Sequence, residues 1–451
     1  METISIVGTS DLHGHVENLP LFKGYINNLA LSHEGRQVRE YLLLDAGDMF
    51  TGTTWCNETQ GLNMIHLYNK LGYHAVAPGN HEFDYGIKPL ELAMRLARFP
   101  FLCSNIKLKE NREYPYKYGF EQDKIVNIKN LRIGIVGGIT QETPNCTANK
   151  EVRELFDFGE LAISLQERID LLRSKDVNAV VVLVHKGVPM RTPAKKLAKL
   201  ATMLRGVDVI IGGHTHGVFH GFMNKIAVIQ SYSLGRYFGR VDLTFDFWGK
   251  VDMSKTIIHR PQPIIEGVYE GRPVVEDQMI RSSLCSEDSE QVTTAPVTYE
   301  HYLDERGELD YLIAHLFSIG TQKEYGRDVV AIINKGAIRA PIKQGIVKEE
   351  DLFSAMPFKN TVGLSVIKGY QLKKLIENDE KGDLIISGVT QGELQTNDSS
   401  KEYLVVLSNF LEHELGVNWI HIKNLEHNQV ELIKTGAKLF KTLPRILESF
   451  V

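Results

Sequence analysis

Five short segments in the first half of the chain hold its candidate chemistry: Asp11–Leu12–His13, Gly47–Asp48, Gly79–Asn80–His81–Glu82, His185, and Gly213–His214–Thr215–His216. Together they gather carboxylate and carboxamide oxygens beside imidazole nitrogens, and burying such groups without partners costs roughly 2–7 kcal/mol each. A ligand that repays this is a cation, and mixed nitrogen and oxygen ligation suits Mn, Fe, Zn or Co better than Ca or Mg alone. Asp48 has two oxygens and can bridge two ions, which a histidine cannot do. Asp11 and His13 lie two apart, so extended backbone would send both side chains from one face. Taken singly, a Gly–Asp pair is ordinarily a turn and a histidine after a strand an ordinary loop residue. The ordered set points to metal-assisted chemistry on phosphate esters.

The elements that would position these residues are apolar runs at Ile4–Val7, Tyr41–Leu44, His74–Ala77, Leu131–Val136, Ala179–Val184 and Val207–Ile211. Helical patterns such as Leu90–Ala97 and Leu161–Leu172 lie between several of them. Such alternation predicts a layered α/β domain with buried sheets. Ligands of these sheets bind beyond the carboxyl ends of the strands, where all five segments would lie. From Phe222 to Phe247 the pattern alternates, with Val241, Leu243, Phe245 and Phe247 on one face, and predicts extra antiparallel strands. The polar, serine-rich stretch Arg281–Pro296 reads as a connection. The expected division is a catalytic domain over 1–257, a connecting segment over 258–296 and a smaller α/β domain over 297–451. The last is predicted to hold helices near Leu309–Gln322, Glu349–Ala355 and Lys368–Glu377 and strands at Val329–Ile333 and Tyr403–Leu407.

At 451 residues, 43% of them hydrophobic, the chain supports two cores. Its 51 basic against 56 acidic residues, a formal charge of -5, argue against a protein that grips a nucleic-acid polymer. No stretch approaches the ~20 apolar residues that span a bilayer, so no membrane partner is expected. The start carries no basic n-region, and Cys56, Cys103, Cys146 and Cys285 are too scattered for a disulfide framework or a zinc site, which together favour the cytosol. Nothing in the sequence sets an oligomeric state.

The ordered segments DLH, GD, GNHEFD, VLVH and GGHTH resemble the motif set of calcineurin-like metallophosphoesterases, and GNHEFDYG is the form of the 5′-nucleotidase branch. The resemblance implies a four-layer sandwich of two β-sheets flanked by helices. It implies two divalent ions, one on Asp11, His13, Asp48 and His216, the other on Asp48, Asn80, His185 and His214. Ions about 3.5–4 Å apart acidify a shared water for in-line attack on phosphorus. By the same resemblance His81 is the catalytic histidine, and Asp84, three residues on, would orient it. Asn80 would also touch substrate. Glu82 is left open between a partner of the site, a cap and a surface residue. Ser10 stands where the branch has Asn. His15, His33, His66, His74 and His220 carry no such pattern.

The second half is similar to the 5′-nucleotidase C-terminal domain. On that likeness Arg339 binds substrate oxygens, Phe358 and Phe410 sandwich the base, Asn360 hydrogen-bonds it, and Arg306 is a further anion contact. Core packing is the commoner fate of a phenylalanine, so the stacking role rests on the resemblance. Two departures stand out. Lys335–Gly336–Ala337 replaces a glycine-rich segment before Arg339, and Leu411–Glu412–His413–Glu414–Leu415–Gly416 replaces the segment that ends in a ribose-holding aspartate. The expected substrate is therefore a nucleotide or related phosphate ester with altered preference. A cyclic-nucleotide phosphodiesterase, a nucleotide-sugar hydrolase or a sulfur-ester hydrolase of the same fold are the alternatives, and a non-catalytic nucleotide-binding protein is disfavoured by the intact His81 and Asp84.

Overall fold

The computed structural model describes the chain except residues 1, 32–38, 148, 188–194, 285–290, 303–306, 327, 357–359, 361, 380–382, 390–400, 409–410, 412–419, 425–428 and 445–451. It folds as two compact units, one of Met1–Thr51 with Trp55–Cys285, the other of Gly52–Thr54 with Ser286–Val451.

The predicted apolar runs of the first unit all become strands, and they form two sheets. One sheet runs Ile257–Ile258, Tyr237–Phe245, Glu2–Thr9, Glu40–Asp45, Ala75–Val76, Phe101–Leu102, Phe120–Glu121. The other runs Val218–Met223, Ile226–Ser231, Val209–Gly212, Ala179–His185, Leu131–Ile139, Asp123–Ile128. Their central strands are parallel. Strand geometry sends successive side chains to opposite faces, and the cores divide accordingly. Leu42 and Leu44, with Val181 and Leu183, join one apolar layer between the sheets. Leu43 instead packs outward with the helices Leu19–Ala30 and Leu62–Leu71, and Val180, Val182 and Val184 pack outward with the helix Leu161–Ser174. The result is the helix–sheet–sheet–helix sandwich expected from the sequence.

Two details differ from the sequence reading. Val241, Leu243 and Phe245 are buried in a strand antiparallel to Glu2–Thr9, but Phe247 lies past its end and is 92% exposed on a turn. Residues 258–296 are shared out between the units. Ile257–Ile258 pairs with Tyr237–Phe245 and the helix Gln278–Ser282 packs on Leu19–Ala30, whereas Gln291–Ala295 pairs with Gly345–Lys348 of the second unit.

The second unit centres on a five-stranded sheet, Leu384–Ser387, Val330–Asn334, Glu402–Ser408, Val362–Lys368, Ile420–Asn424. The helices Glu308–Tyr325, Glu349–Ala355 and Gly369–Glu377 fall where the sequence pattern put them.

Candidate metal centre

Every histidine and aspartate segment singled out above sits at the carboxyl end of a parallel strand. Asp11 and His13 follow Glu2–Thr9, Asp48 follows Glu40–Asp45, Asn80 follows Ala75–Val76, His185 ends its strand, and His214 follows Val209–Gly212. The two sheets thus deliver their ligand-type side chains to one end of the sandwich. Asp11, His13 and His216 have donor atoms within 4.8 Å of one another, as do His13, Asp48 and His81, and Asp48, His185 and His214. Asn80 joins them through Oδ1, 3.0 Å from His214 Nδ1. All seven expected ligand positions, with His81, are therefore brought together.

The backbone does this in an unexpected way. Asp11, His13, Asp48, His214 and His216 have φ of 56, 49, 58, 78 and 51°, so the side chains converge from left-handed turns, not from extended backbone. L-residues avoid that region, and its occupation at a cluster of polar residues marks a functional loop. Hydrogen bonds fix the turns. The Asp11 and His13 amides donate to the Gly47 and Asp48 carbonyls at 2.8 and 3.0 Å, and the His214 amide donates to Asp11 Oδ1 at 2.8 Å.

Second contacts set which ring nitrogen faces inward. His13 Nδ1 lies 3.0 Å from the Thr51 carbonyl and His185 Nδ1 2.8 Å from the Ala46 carbonyl. A carbonyl only accepts, so each Nδ1 carries a proton and each Nε2 faces the centre as the nitrogen a cation would take, the usual arrangement of metal-bound imidazole. His185 Nε2 is 3.0 Å from Asp48 Oδ2, and His13 Nε2 is 3.8 Å from the same oxygen.

Two carboxylates are fully enclosed here. Burial pushes the Asp11 carboxyl up; burial also acts on Asp48, but the imidazoles of His185, His81 and His13 outweigh it and hold that group well below the usual carboxylate range. Burial would lower His185, yet Asp48 and Asp11 raise it to about 10, while burial and the neighbouring His185 push His214 down to about 3. The enclosed carboxylates raise the affinity of His185 for positive charge, which a proton or a cation at Nε2 would supply. Asp11 Oδ2 is buried with no hydrogen-bond partner. An orphaned carboxylate oxygen beside inward-facing imidazole nitrogens is a donor set that fits divalent cations.

His81 stands beside these groups with its amide on Asp48 Oδ1 at 2.9 Å. Its Nδ1 lies 2.6 Å from Asp84 Oδ2, and Thr147 Oγ1 donates to the other Asp84 oxygen at 3.2 Å. The ring is held from behind through Nδ1, which turns Nε2 to the opposite side.

Glu82, left open by the sequence, proves to be a clamp. Its Oε2 accepts from the Gly79 and Asp48 amides at 2.5 and 2.8 Å, and its Oε1 from the Met49 and Phe50 amides at 2.9 and 3.0 Å. Burial first, then the nearby Asp48 charge, raise its pKa. One carboxylate thus ties the Gly47–Asp48 loop to the Asn80–His81 loop. Asp45 works one layer deeper, accepting from Thr9 Oγ1 at 2.6 Å, the Gly47 amide at 2.8 Å and Tyr68 OH at 3.1 Å. The signals for both were present: an acid three residues after Gly79, and an acid ending a strand two residues before Gly47. Thr51 and Ala46 act through backbone carbonyls and left no signal. His15 is half-buried, its Nδ1 3.9 Å from Glu17 Oε2.

In the second unit Arg339 is half-buried, its amide donating to the Ala355 carbonyl at 2.9 Å, and the Asn360 carbonyl accepts from the Gln429 amide at 3.2 Å. Arg306, Phe358 and Phe410 lie outside the described residues.

Two family models match the chain, calcineurin-like phosphoesterase over residues 4–218 and the 5′-nucleotidase C-terminal domain over residues 291–406. A snake venom 5′-nucleotidase of Naja atra is 28% identical over 424 residues, 83% of this chain and 77% of that protein. The 5′-nucleotidase of Rattus norvegicus is 28% identical over 421 residues, 83% of this chain and 71% of that one. Among solved structures, a 5′-nucleotidase precursor from Thermus thermophilus matches with TM-score 0.79 at 23% identity, over 99% of this chain and 98% of that one. The Thermus thermophilus sulfate thiohydrolase SoxB matches with TM-score 0.78 at 16% identity, over 100% and 96%. At these identities the structural likeness is one of fold.

Proposed function

The chain belongs to the calcineurin-like metallophosphoesterases and carries a 5′-nucleotidase C-terminal domain, and from that premise we propose that it hydrolyses nucleotides or closely related phosphate esters at a centre of two divalent ions. Asp11, His13, Asp48 and His216 would hold one ion and Asp48, Asn80, His185 and His214 the other, with Asp48 shared. The ions would be Mn, Zn, Fe or Co, by the mixed donor set. Bound there, they supply an acidified water and neutralise phosphate charge.

The chain's own groups do the rest. Asp84, 2.6 Å from His81 Nδ1, holds the ring from behind and aims Nε2 away from itself, so that His81 would donate a hydrogen bond or a proton to the leaving oxygen. Asn80 orients its amide beside His214 and would contact the phosphoryl group. The second unit would select substrate, with Arg339 on oxygens, Phe358 and Phe410 against the base and Asn360 hydrogen-bonded to it. Lys335 and the Leu411–Gly416 segment shift that selection away from a plain 5′-mononucleotide.

The observation that carries this reading is the convergence of Asp11, His13, Asp48, His185, His214 and His216 around a buried, orphaned Asp11 oxygen. Its test is the rate of hydrolysis of mono-, di-, cyclic and sugar nucleotides by Mn-reconstituted protein and by Asp48→Asn. Metal content and turnover should fall together in the variant. Unchanged turnover by Asp48→Asn overturns the dinuclear centre. A panel in which AMP far exceeds every other ester overturns the altered preference alone.

A further inference from the structure

The largest exposed apolar side chains of the first unit are presented, not merely left over. After Phe245 the chain turns through Asp246–Lys250, placing Phe247 at 92% and Trp248 at 79% exposure. Loose surface aromatics ordinarily sit on mobile loops; this turn is tied at every step. Asp246 Oδ1 accepts from the Trp248 and Lys250 amides at 2.9 and 2.8 Å, the Gly249 amide donates to the Asp246 carbonyl at 3.1 Å, and the Asp246 amide donates to the Lys250 carbonyl at 2.8 Å. Gly249, at φ +76°, lets the turn close, and its carbonyl takes a 2.9 Å hydrogen bond from Asn178 Nδ2. Asn178 in turn accepts from the Arg132 amide at 2.7 Å, and Arg132 Nη1 donates to the Lys175 carbonyl at 2.6 Å.

These links place cations around the rings. Lys129 in the hairpin turn before Leu131, with Arg132, Lys175 and Lys250, are all exposed. Against them stand Glu2, paired with Phe245 at the foot of the turn, Asp176, Asp246 with Oδ1 turned back onto the turn's own amides, and Asp252, which is ion-paired with Lys255. The location is the end of the sandwich where Glu2, Leu131 and Ala179 begin their strands; Phe245 pairs with Glu2. The metal-type residues lie at the other end of the same strands, roughly 25 Å away for eight residues of strand.

We propose that this turn docks the protein on the headgroup layer of an anionic lipid bilayer, Phe247 and Trp248 entering the interface and Lys129, Arg132, Lys175 and Lys250 facing lipid phosphates. An aromatic pair flanked by basic side chains has the chemistry of a bilayer interface, apolar just below a negative surface. A second copy of the chain fits less well. Two rings of about 150–250 Å² each fall short of the ~800 Å² per partner of a stable protein interface. The absence of a spanning stretch led the sequence reading away from membranes, but a wedge on a turn needs none. The proposal does not rest on the catalytic reading, since the turn and the metal-type residues lie at opposite ends of the first unit's strands.

The test is co-sedimentation of the full chain with vesicles of phosphatidylcholine alone and of equal parts phosphatidylcholine and phosphatidylglycerol. The parent should bind the mixed vesicles, at least about tenfold more weakly when salt is raised or when Lys129→Glu/Lys175→Glu is introduced. Phe247→Ser/Trp248→Ser should lose binding while keeping the parent's hydrolysis of an aryl phosphate, which shows that it folds. Equal binding to both vesicle types, or binding unchanged by the aromatic double variant, overturns the proposal. So does a parent dimer in sedimentation equilibrium that the double variant dissolves, which would assign the turn to a second copy.

Discussion

Replacing Glu82 by Gln changes one atom's hydrogen-bonding sense at a fully buried point where two catalytic loops meet. The parent carboxylate accepts four amides, two on each oxygen. In the amide, one of those atoms becomes NH₂ and faces two N–H donors whichever way the side chain turns. Two buried N–H groups then lack acceptors, at about 1–3 kcal/mol each, and the surviving pair loses its charge assistance. Against this, the substitution removes a buried negative charge close to Asp48, which offsets part of the loss. The expected net destabilisation is ~3 kcal/mol, a fall in Tm of roughly 6–12 °C on the scale of a domain of this size. Because the clamp holds the Asp48 and Asn80 backbones, metal affinity should fall about 10–100-fold as well, as for other groups that orient ligands from behind. Thermal melts in chelator and in excess Mn, with a metal titration, separate the two effects. A variant that melts within about 2 °C of the parent and binds metal as tightly would refute the reasoning; one that loses stability while keeping metal affinity would make Glu82 a cap and nothing more.

His81→Ala should slow hydrolysis of alkyl phosphate esters by about 10²–10⁴-fold and affect p-nitrophenyl esters far less, since their leaving oxygen needs no proton; Asp84→Asn should show the same pattern more weakly. Equal losses on both ester classes would remove His81 from the leaving-group role. Gly79→Ala would put a Cβ 2.2 Å from Asp48 Oδ1 and 2.6 Å from the Asp48 amide, so the loops must part, and elemental analysis should find substoichiometric metal. A full complement in that variant speaks against rigid loops. Far from the site, burial pushes the Asp242 carboxyl up, but hydrogen bonds from His259, Arg240 and Ser5 hold it well below the usual range. A depressed folded value gives stability that is present above the unfolded value of about 3.9 and lost as pH falls through the folded one. The parent should therefore lose Tm below about pH 4, and Arg240→Leu, by stranding a buried carboxylate, should cost about 3–5 kcal/mol at neutral pH and flatten that acid slope. An unchanged neutral Tm would contradict it.

How much of this was legible depends on whether chemistry or geometry carried it. Asp11, His13, Asp48, Asn80, His185, His214 and His216 could be read because a metal centre demands particular atoms, and because each follows an apolar run whose strand ends in the right place. The helix–sheet–sheet–helix order was legible from the alternation of runs. Glu82 could not be assigned, because four amides converging on one carboxylate is a three-dimensional fact between loops more than thirty residues apart. The roles of Thr51 and Ala46 were invisible, since any residue has a carbonyl. Phe247 extended the alternation of Val241, Leu243 and Phe245 by one step too many, because a hydrophobic period carries no mark of where the strand stops and the turn of Asp246 begins. Residues 258–285 looked like a connector because short two-residue strands such as Ile257–Ile258 leave almost no pattern.

The left-handed conformations expose what the site's rigidity depends on. Each non-glycine residue held there costs of order 1–2 kcal/mol, and Asp11, His13, Asp48, His214 and His216 all accept that cost in one small region. Extended backbone would have been cheaper but would have carried Asp11 and His13 onward along the strand, away from His216. The turns persist because the two loops are stitched to each other: Asp11 to Gly47, His13 to Asp48, Gly14 to Met49 and Leu234 to Asp11 through backbone, then Glu82 across Asp48, Met49 and Phe50. These bonds are internal to the loops and need no cation to form. The loops that carry the donor atoms are thereby held to one another by bonds that do not pass through a cation, and the cost of ordering them is shared with the fold. That arrangement makes Glu82 and the Gly47 turn, more than any one ligand, the points at which the whole centre can be loosened at once.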